Sequence, residues 1–227
     1  LISAERNVDF LKDKPYRMLE DLAIFYKVLI SKDGNGTGTI TVTNNHMEYW
    51  GLTEEQLYET AIKNSNVLEP PSIDKLTNVM ADLMKAQGMD EDIIENQLKE
   101  DDVDMYVISN TTKANGASVI VYSDALQQVA ENLGSDLYIL PSSIHEVLAL
   151  PVGNKDVDSL EEMVRCVNQT EVSPTEVLSD NVYKYDAESR TLSLASAKAE
   201  TVKETAVCEP SGYTGTVNEV ARPRHHR

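Results

Sequence analysis

The sequence predicts an α+β fold with a mostly antiparallel sheet, two hairpin-helix (ββα) units and further packed helices. One observation is that β-branched and aromatic runs flank an Asn-Gly turn, as in Met105–Ile108 and Ser118–Tyr122. A second is that capped segments with apolar residues at i, i+3, i+4 and i+7 follow such runs. A third is that strand, turn, strand and capped helix occur in this order twice, over Leu22–Lys63 and Met105–Leu133. Residue identities barely match, so the likeness is one of topology.

The first unit follows a predicted helix over Ala4–Lys12, which Pro15 ends because proline has no backbone N–H. Leu22–Ile30 is apolar enough for a central strand. Thr39–Thr43 alternates with period two, which is typical of a half-buried strand.

Two capped helices complete the first unit. Asn44 and Asn45 can cap a short helix that reaches Trp50 and that Gly51 closes. Residues 53–56, Thr-Glu-Glu-Gln, form a capping box in which each side chain serves the other's backbone N–H, and we predict a longer helix from there.

Between the units we predict an amphipathic helix over Ser72–Lys85 and an acidic stretch over Met89–Asp104. A calcium loop needs oxygen ligands at alternate positions, a glycine at the sixth and a glutamate at the twelfth. No window here has that spacing. The acidic stretch is therefore interpreted as a solvated helix face followed by a loop.

In the second unit, Ser123 or Asp124 caps a predicted helix that Gly134 ends. Leu137–Leu140 is too short and too uniformly apolar for an amphipathic helix, so we predict a buried strand. We expect another strand over Val147–Leu150.

Three more elements are predicted after the second unit. They are a helix over Val157–Val167, a helix that begins at Ser173-Pro174, and a hairpin of Val182–Tyr185 with Thr191–Leu194.

These elements predict one α+β domain over residues 1–194, or two ββα-containing halves, 1–88 and 104–194, joined by the acidic segment. Residues 195–227 lose the apolar periodicity, and we expect a flexible tail that is native or partly a cloning remnant. Leu1 is not a start methionine, so we also expect a segment upstream of it.

Composition limits the class of protein. The chain has 227 residues, 41% of them hydrophobic, which is enough for a domain core, and its net charge of −18 would repel a nucleic-acid backbone. It has no apolar run of the roughly 18 residues that span a bilayer and no signal-peptide core, so we expect a cytoplasmic protein without membrane contact. Its two cysteines form no metal-binding motif, and no phosphate or dinucleotide loop is present, so we expect no metal and no cofactor.

Several segments, read together, resemble a known family. They are ITVTNNHMEYWGLTEEQLYETAIKN, MYVISNTTKANGASVIVY, LYILPSSIHEVLALP and VSPTEVLSDNVYKYD. They are similar to a domain-of-unknown-function family of Gram-positive gut anaerobes, over roughly residues 4–194. The resemblance implies a bacterial protein with no assigned chemistry.

Residues 142–146, Ser142-Ser143-Ile144-His145-Glu146, bring a nucleophile, a base and a carboxylate together. A hydrolase would need a serine hydroxyl and a carboxylate within hydrogen-bond reach of the imidazole. Adjacent residues rarely have that geometry, since successive side chains of a strand point to opposite faces. The competing interpretation is that the serines bond nearby backbone and the histidine bonds a carbonyl.

His46 is a second candidate, because it could join His145 as a metal ligand if the fold brings the two ββα units together. Two histidines are too few to define a metal site. Tyr49, Trp50 and Tyr58 are expected to be core or rim aromatics.

We therefore expect a non-enzymatic cytoplasmic binding or protein-interaction domain, with a protein partner whose identity and stoichiometry the sequence leaves open. The alternative is a hydrolase-like or metal-dependent enzyme with a site around Ser142, Ser143, His145 and Glu146. A cleft with convergent polar groups around His145 would favour the enzyme. An exposed apolar patch or sheet edge would favour the binding domain.

Overall fold

The fold is organised around a six-stranded antiparallel sheet. A computed structural model describes residues 1–33, 36–99, 104–141, 143–153 and 155–196, which belong to one compact unit. Helices and antiparallel sheets together define an α+β fold, so the predicted fold class is confirmed.

The strands of the described residues form three antiparallel sheets. They are β1 (Ile2–Ser3), β2 (Tyr16–Leu19), β3 (Leu22–Phe25), β4 (Lys27–Asp33), β5 (Gly36–Thr41), β6 (Pro71–Lys75), β7 (Tyr106–Asn110), β8 (Leu137–Leu140), β9 (Val147–Pro151), β10 (Tyr183–Asp186) and β11 (Thr191–Leu194).

The helices of the described residues range from one turn to four. They are α1 (Val8–Leu11), α2 (Asn44–Trp50), α3 (Glu54–Leu68), α4 (Leu76–Ala86), α5 (Glu91–Lys99), α6 (Val119–Tyr122), α7 (Ala125–Leu133) and α8 (Val157–Thr170), with 3-10 turns at Glu5–Asn7 and Gly116–Ser118.

The central sheet has the strand order β11-β10-β8-β9-β7-β6. All four residues of β8 are buried, because apolar clusters lie on both faces of the sheet. Leu137 and Ile139 belong to the cluster that contains the apolar side of α7. Tyr138 and Leu140 belong to the cluster that contains the apolar side of α8. The predicted buried strand is thus confirmed, and its lack of alternation reflects cover on both faces.

The N-terminal part of the chain forms two smaller sheets, β1-β3-β2 and the two-stranded ribbon β4–β5. The predicted single strand Leu22–Ile30 is therefore two strands. The chain changes sheet at Tyr26, whose buried ring packs in a separate small core with Val42 and Met47. The predicted strand at Thr39–Thr43 corresponds to β5, and the ribbon with α2 and α3 confirms the first ββα unit.

The second predicted hairpin is wrong. Ser118–Tyr122 does not pair with β7, because β6 and β9 already occupy the two edges of β7. Its last four residues form α6 instead, with Val119 buried in the core. Tertiary packing here overrides the β preference of a Val-Ile-Val-Tyr run.

Two predicted helix starts are also wrong. The helix predicted from Ser72 begins at Leu76, because residues 71–75 pair with β7 as β6, with Ile73 opposite Ile108. Residues 174–176 after Ser173 form a turn and no helix.

The locally encoded helix ends are confirmed. Gly51 and Gly134 take left-handed φ values of 65° and 63° after α2 and α7, a conformation that costs glycine little. The N-cap of α2 is Thr43, one residue before the predicted asparagines. The predicted hairpin β10–β11 forms in register, with Tyr185 opposite Leu192. From Ala197 on, the predicted tail lies outside the described residues, whereas Ala195 packs against the cluster that contains α8.

Candidate functional site

The His145 side chain lies between a loop and a carboxylate. Its Nδ1 accepts a hydrogen bond of 3.2 Å from the backbone N–H of Asn115. Its Nε2 lies 3.4 Å from Oε1 of Glu176. An Nδ1 that accepts carries no proton, so this one hydrogen bond places a ring proton on Nε2, the nitrogen that faces Glu176. Both ring nitrogens are therefore already engaged.

The hydroxyl of Ser143 forms its hydrogen bonds within its own segment of the chain. It donates to Oε1 of Glu146 at 3.3 Å and accepts from the backbone N–H of His145 at 3.0 Å. Ser143 is buried. This is the local bonding expected of a serine in a tight turn. The structure places Ser143, His145 and Glu146 together, but the hydrogen bonds of the Ser143 hydroxyl go to the Glu146 carboxylate and the His145 backbone, and not to the His145 ring. Ser142 lies outside the described residues.

Three other segments of the chain form hydrogen bonds with the backbone of Ile144 and His145. The His145 carbonyl accepts from the Ser109 hydroxyl at 2.7 Å. The Ile144 carbonyl accepts from the Ala117 N–H at 3.2 Å, and the Ile144 N–H donates to the Glu176 carbonyl at 2.9 Å. These contacts fix the backbone of Ile144 and His145 against β7, the turn that precedes α6 and the segment at Glu176.

That loop, residues 111–116, has an unusual backbone. Lys113 and Asn115 both have positive φ, 55° and 53°, although neither is glycine. Such residues are strained unless their surroundings hold them. Here Asn110 holds the loop, because its side-chain amide donates to the Ala114 carbonyl at 2.9 Å and its Oδ1 accepts from the Ala114 N–H at 3.3 Å.

A basic side chain ties the loop to the edge strand β6. Lys113 Nζ donates to the Ser72 hydroxyl at 3.0 Å and to Oδ2 of Asp74 at 3.1 Å. The hydrogen bond from Ser72, followed by that from Lys113, lowers the pKa of Asp74 below its usual range. The ion pair between Lys113 and Asp74 therefore connects the loop to β6.

An open groove of about 630 Å³ begins where this loop ends. Asn115 contributes to the groove lining and also donates to His145, so the predicted site and the groove share a residue. The walls are mostly apolar and come from β3, β4, α3 and α6. They include Ile24, Val28, Leu29, Leu57, Tyr58, Ala61, Ile62, Leu68 and Val121.

Polar groups gather at the loop end of the groove, where the last turn of α3 meets α6. The Tyr122 hydroxyl donates to the Glu69 carbonyl at 2.7 Å, and burial raises the pKa of Tyr122 to about 12. The Thr112 hydroxyl donates to the Glu69 carboxylate at 2.9 Å. The groove therefore has an apolar body and one polar end.

The wall formed by α3 is anchored at its first turn. Arg17 donates to both carboxylate oxygens of Glu54, at 3.2 and 2.8 Å, and its guanidinium lies 3.9 Å from the centre of the Tyr58 ring. The Tyr26 hydroxyl also donates to Glu54. Burial opposes the charge on Glu54, but the hydrogen bonds from Arg17 and Tyr26 outweigh it and lower the pKa of Glu54.

His46 has a structural role. Its Nδ1 accepts from the Thr43 N–H at 3.0 Å, which caps α2, and its ring stacks on Trp50 with centroids 5.4 Å apart. In the part of the chain that the structure describes, no group of three or more His, Cys, Asp or Glu side chains is placed to hold a metal ion. Tyr58 lies in the groove wall, whereas the side chain of Tyr49 is 88% exposed.

Sequence reasoning missed the groove. Its walls come from Leu1 and from residues 24–69 and 110–122, and nothing local indicates that these parts approach one another. One signal was present: the C-terminal half of α3 turns the small or polar residues Ala61, Asn64 and Ser65 towards the groove. A helix with so weak an apolar stripe is not fully buried.

Comparison with known proteins assigns the chain to a family but gives no function for the site. A family model described as a family of unknown function, DUF5688, matches residues 1–187. The chain therefore belongs to that family, and the resemblance to a domain-of-unknown-function family is confirmed. No curated protein and no solved structure gives a significant match. The described residues contain no helix with the length and apolarity to cross a bilayer.

Proposed function

We propose that this protein is a non-enzymatic binding domain that holds an apolar segment of a protein partner in the groove between the ribbon β4–β5, α3 and α6. The observation that carries the proposal is the groove itself, open to solvent and about 630 Å³ in volume. That volume lies within the range of roughly 300–1,000 Å³ found for ligand sites, which are typically apolar with a few placed polar groups.

Incomplete burial of α3 supports the same conclusion. None of its 15 residues is fully buried, although Leu57, Tyr58 and Ala61 face a core cluster. Leu68, in the groove wall, is 44% exposed. Covering such a surface is worth about 25 cal/mol per Å² of apolar area removed from water.

The ribbon favours a polypeptide ligand. In the described residues β4 and β5 pair only with each other, so each has an outer edge with unpaired backbone groups. Val28 lines the groove and lies opposite Ile40, which is 50% exposed. An extended segment can add to such an edge through main-chain hydrogen bonds while its side chains enter an adjacent groove.

The cytoplasm is the proposed location, because two cysteines without a pairing or metal motif suit a reducing compartment. The net charge of −18 makes nucleic acid an unsuitable partner.

The hydrolase-like or metal-dependent alternative around Ser142, Ser143, His145 and Glu146 stays a prediction. The engaged nitrogens of His145 and the local bonding of Ser143 lend it no support.

A neutral apolar dye, N-phenyl-1-naphthylamine, tests the groove through its fluorescence, and peptides selected from a displayed random library test the ligand class. We expect both to bind and to compete. Leu68→Glu should weaken both by at least about tenfold, since a buried apolar side chain contributes about 1.5–3 kcal/mol. Ser65→Trp should do the same by filling the groove without adding charge.

Val67→Glu is the matched control, because Val67 is 79% exposed and does not line the groove. It should leave dye and peptide binding unchanged. Thermal unfolding of each variant verifies that the fold persists. Equal binding to wild type, Leu68→Glu and Ser65→Trp would refute the groove as the binding site.

A further inference from the structure

The helices α4 and α5 leave part of their apolar side uncovered in the described fold, although Ile94 of α5 is buried and Leu76 of α4 packs against a core cluster. Leu76, Val79, Met80 and Leu83 recur at helical spacing, yet none of the 11 residues of α4 is buried. Leu83 is 58% exposed, Met80 36% and Ile93 of α5 50%. An amphipathic helix in a compact unit normally buries its apolar stripe, so this face is available to a partner.

Acidic side chains surround this face. Asp82, Asp90, Glu91, Asp92 and Glu95 are all exposed. Lys85 Nζ lies 2.8 Å from Oε1 of Glu91, and that hydrogen bond raises the pKa of Lys85, with the charges of Asp82 and Glu95 adding to it. The one lysine of α4 is thus already paired with carboxylates, and the surroundings of the face remain negative.

We propose that the α4–α5 face, defined by Met80, Leu83 and Ile93, docks a basic amphipathic helix of a protein partner. The apolar stripe of such a helix would cover the three side chains while its lysines or arginines meet the surrounding carboxylates. Methionine side chains adapt to differently shaped partners. The negative charge of the whole chain, −18, would speed association with a basic partner and disfavour acidic ones.

This face is separate from the groove, because no residue of α4 or α5 lines the groove. The inference therefore does not rest on the proposed function. Failure of one proposal leaves the other standing.

The test uses the full chain and two synthetic peptides. One contains only leucine and lysine at the spacing of an amphipathic helix, and the other replaces every lysine by glutamate. Fluorescence anisotropy should show binding of the lysine peptide and none of the glutamate peptide. Met80→Ser with Leu83→Ser should weaken binding at least about tenfold, equivalent to about 1.4 kcal/mol.

Two further variants keep the test decisive. Val8→Ser is the control, since Val8 in α1 is also 58% exposed and lies outside the face. It should leave binding unchanged. Asp82→Asn with Asp92→Asn keeps the apolar face and should weaken binding at low ionic strength, with a smaller effect at high salt. This second variant reports on the face even if the double serine variant fails to fold.

Three results would overturn the proposal. The first is equal binding by the wild type and both α4–α5 variants. The second is equal binding of the lysine and glutamate peptides. The third is a dimer of the protein alone, in sedimentation velocity, that Leu83→Ser dissociates, because the occupant of the face would then be a second copy of the chain.

Discussion

At the scale of single residues, Gly116 is a position in the candidate site where neighbouring atoms leave no room for a side chain. A Cβ at this position would lie 2.1 Å from the Ser109 hydroxyl oxygen, 2.5 Å from the His145 carbonyl oxygen and 2.7 Å from the Asn110 nitrogen. Two of these atoms are backbone and cannot rotate away. The glycine is therefore needed for packing between β7, the loop and His145.

Gly116→Ala should lower the free energy of unfolding by roughly 1–3 kcal/mol, the usual cost of overpacking a tight contact. Chemical denaturation measures it. Gly153→Ala is the control, since nothing lies within 4 Å of a Cβ there, and it should be neutral. A neutral Gly116→Ala would mean that the loop and the His145 segment can separate at little cost.

His145 is the residue at which the two functional hypotheses differ. If it positions the loop, His145→Ala removes the acceptor for the Asn115 N–H, and hydrogen exchange at that amide should become at least about tenfold faster. Exchange at Ile139 in the central strand should not change. Hydrolysis of a chromogenic ester by the wild type that His145→Ala abolishes would favour the enzyme instead.

Charge on Glu54 should contribute to stability with a definite pH dependence. Its lowered pKa means that the contribution is complete above the ordinary value of 4.5 and is lost as pH falls through the lower folded value. Glu54→Gln should therefore cost about 1–2 kcal/mol at neutral pH, and the difference from the wild type should shrink below that ordinary value. Urea unfolding across a pH series measures it. A difference independent of pH would assign the loss to packing.

At the scale of elements, α3 connects local encoding with the groove. Its capping box is complete: the Thr53 N–H donates to Gln56 Oε1 at 3.0 Å, and the Gln56 N–H donates to the Thr53 hydroxyl at 3.3 Å. Thr53→Ala should cost about 1 kcal/mol of unfolding free energy. Thr60→Ala removes an exposed hydroxyl within the same helix and should be neutral or slightly stabilising, because alanine is the better helix former. Equal effects of the two changes would contradict a capping role.

The capping box and the glycine helix ends could be predicted because residues within one turn of each other decide them. The strand β8 could be predicted because its whole run is apolar. The Val-Ile-Val-Tyr run of α6 could not, since whether it forms a strand depends on a free edge of β7, and distant residues of β6 and β9 occupy both edges. The start of α4 was misplaced for the same reason.

The candidate site also has one part that the sequence predicts and another part that it does not. The clustering of Ser143, His145 and Glu146 follows from their adjacency in sequence. Their partners do not, because Asn115 and Glu176 lie about thirty residues to either side and approach only through the fold. The groove depends on still more distant segments, so a sequence search for nucleophiles and bases could not find it.

At the scale of the whole molecule, the net charge of −18 opposes folding through repulsion among carboxylates. Salt screens exposed charges over about 10 Å at 0.1 M ionic strength, so moderate salt should raise the midpoint of thermal unfolding. Because the effect is one of screening, sodium chloride and tetramethylammonium chloride should raise it equally.

Calorimetry at matched ionic strengths measures this, and the result separates three physical cases. An equal rise identifies general repulsion as the dominant electrostatic effect. A rise with sodium alone would indicate specific cation binding by the carboxylates. A fall with both salts would show that ion pairs such as Lys184–Asp136, 2.9 Å apart, and Arg17–Glu54 stabilise the fold more than repulsion destabilises it. A rise would show that the negative charge of the chain acts strongly on its stability. The same negative charge would attract a basic partner to the α4–α5 face.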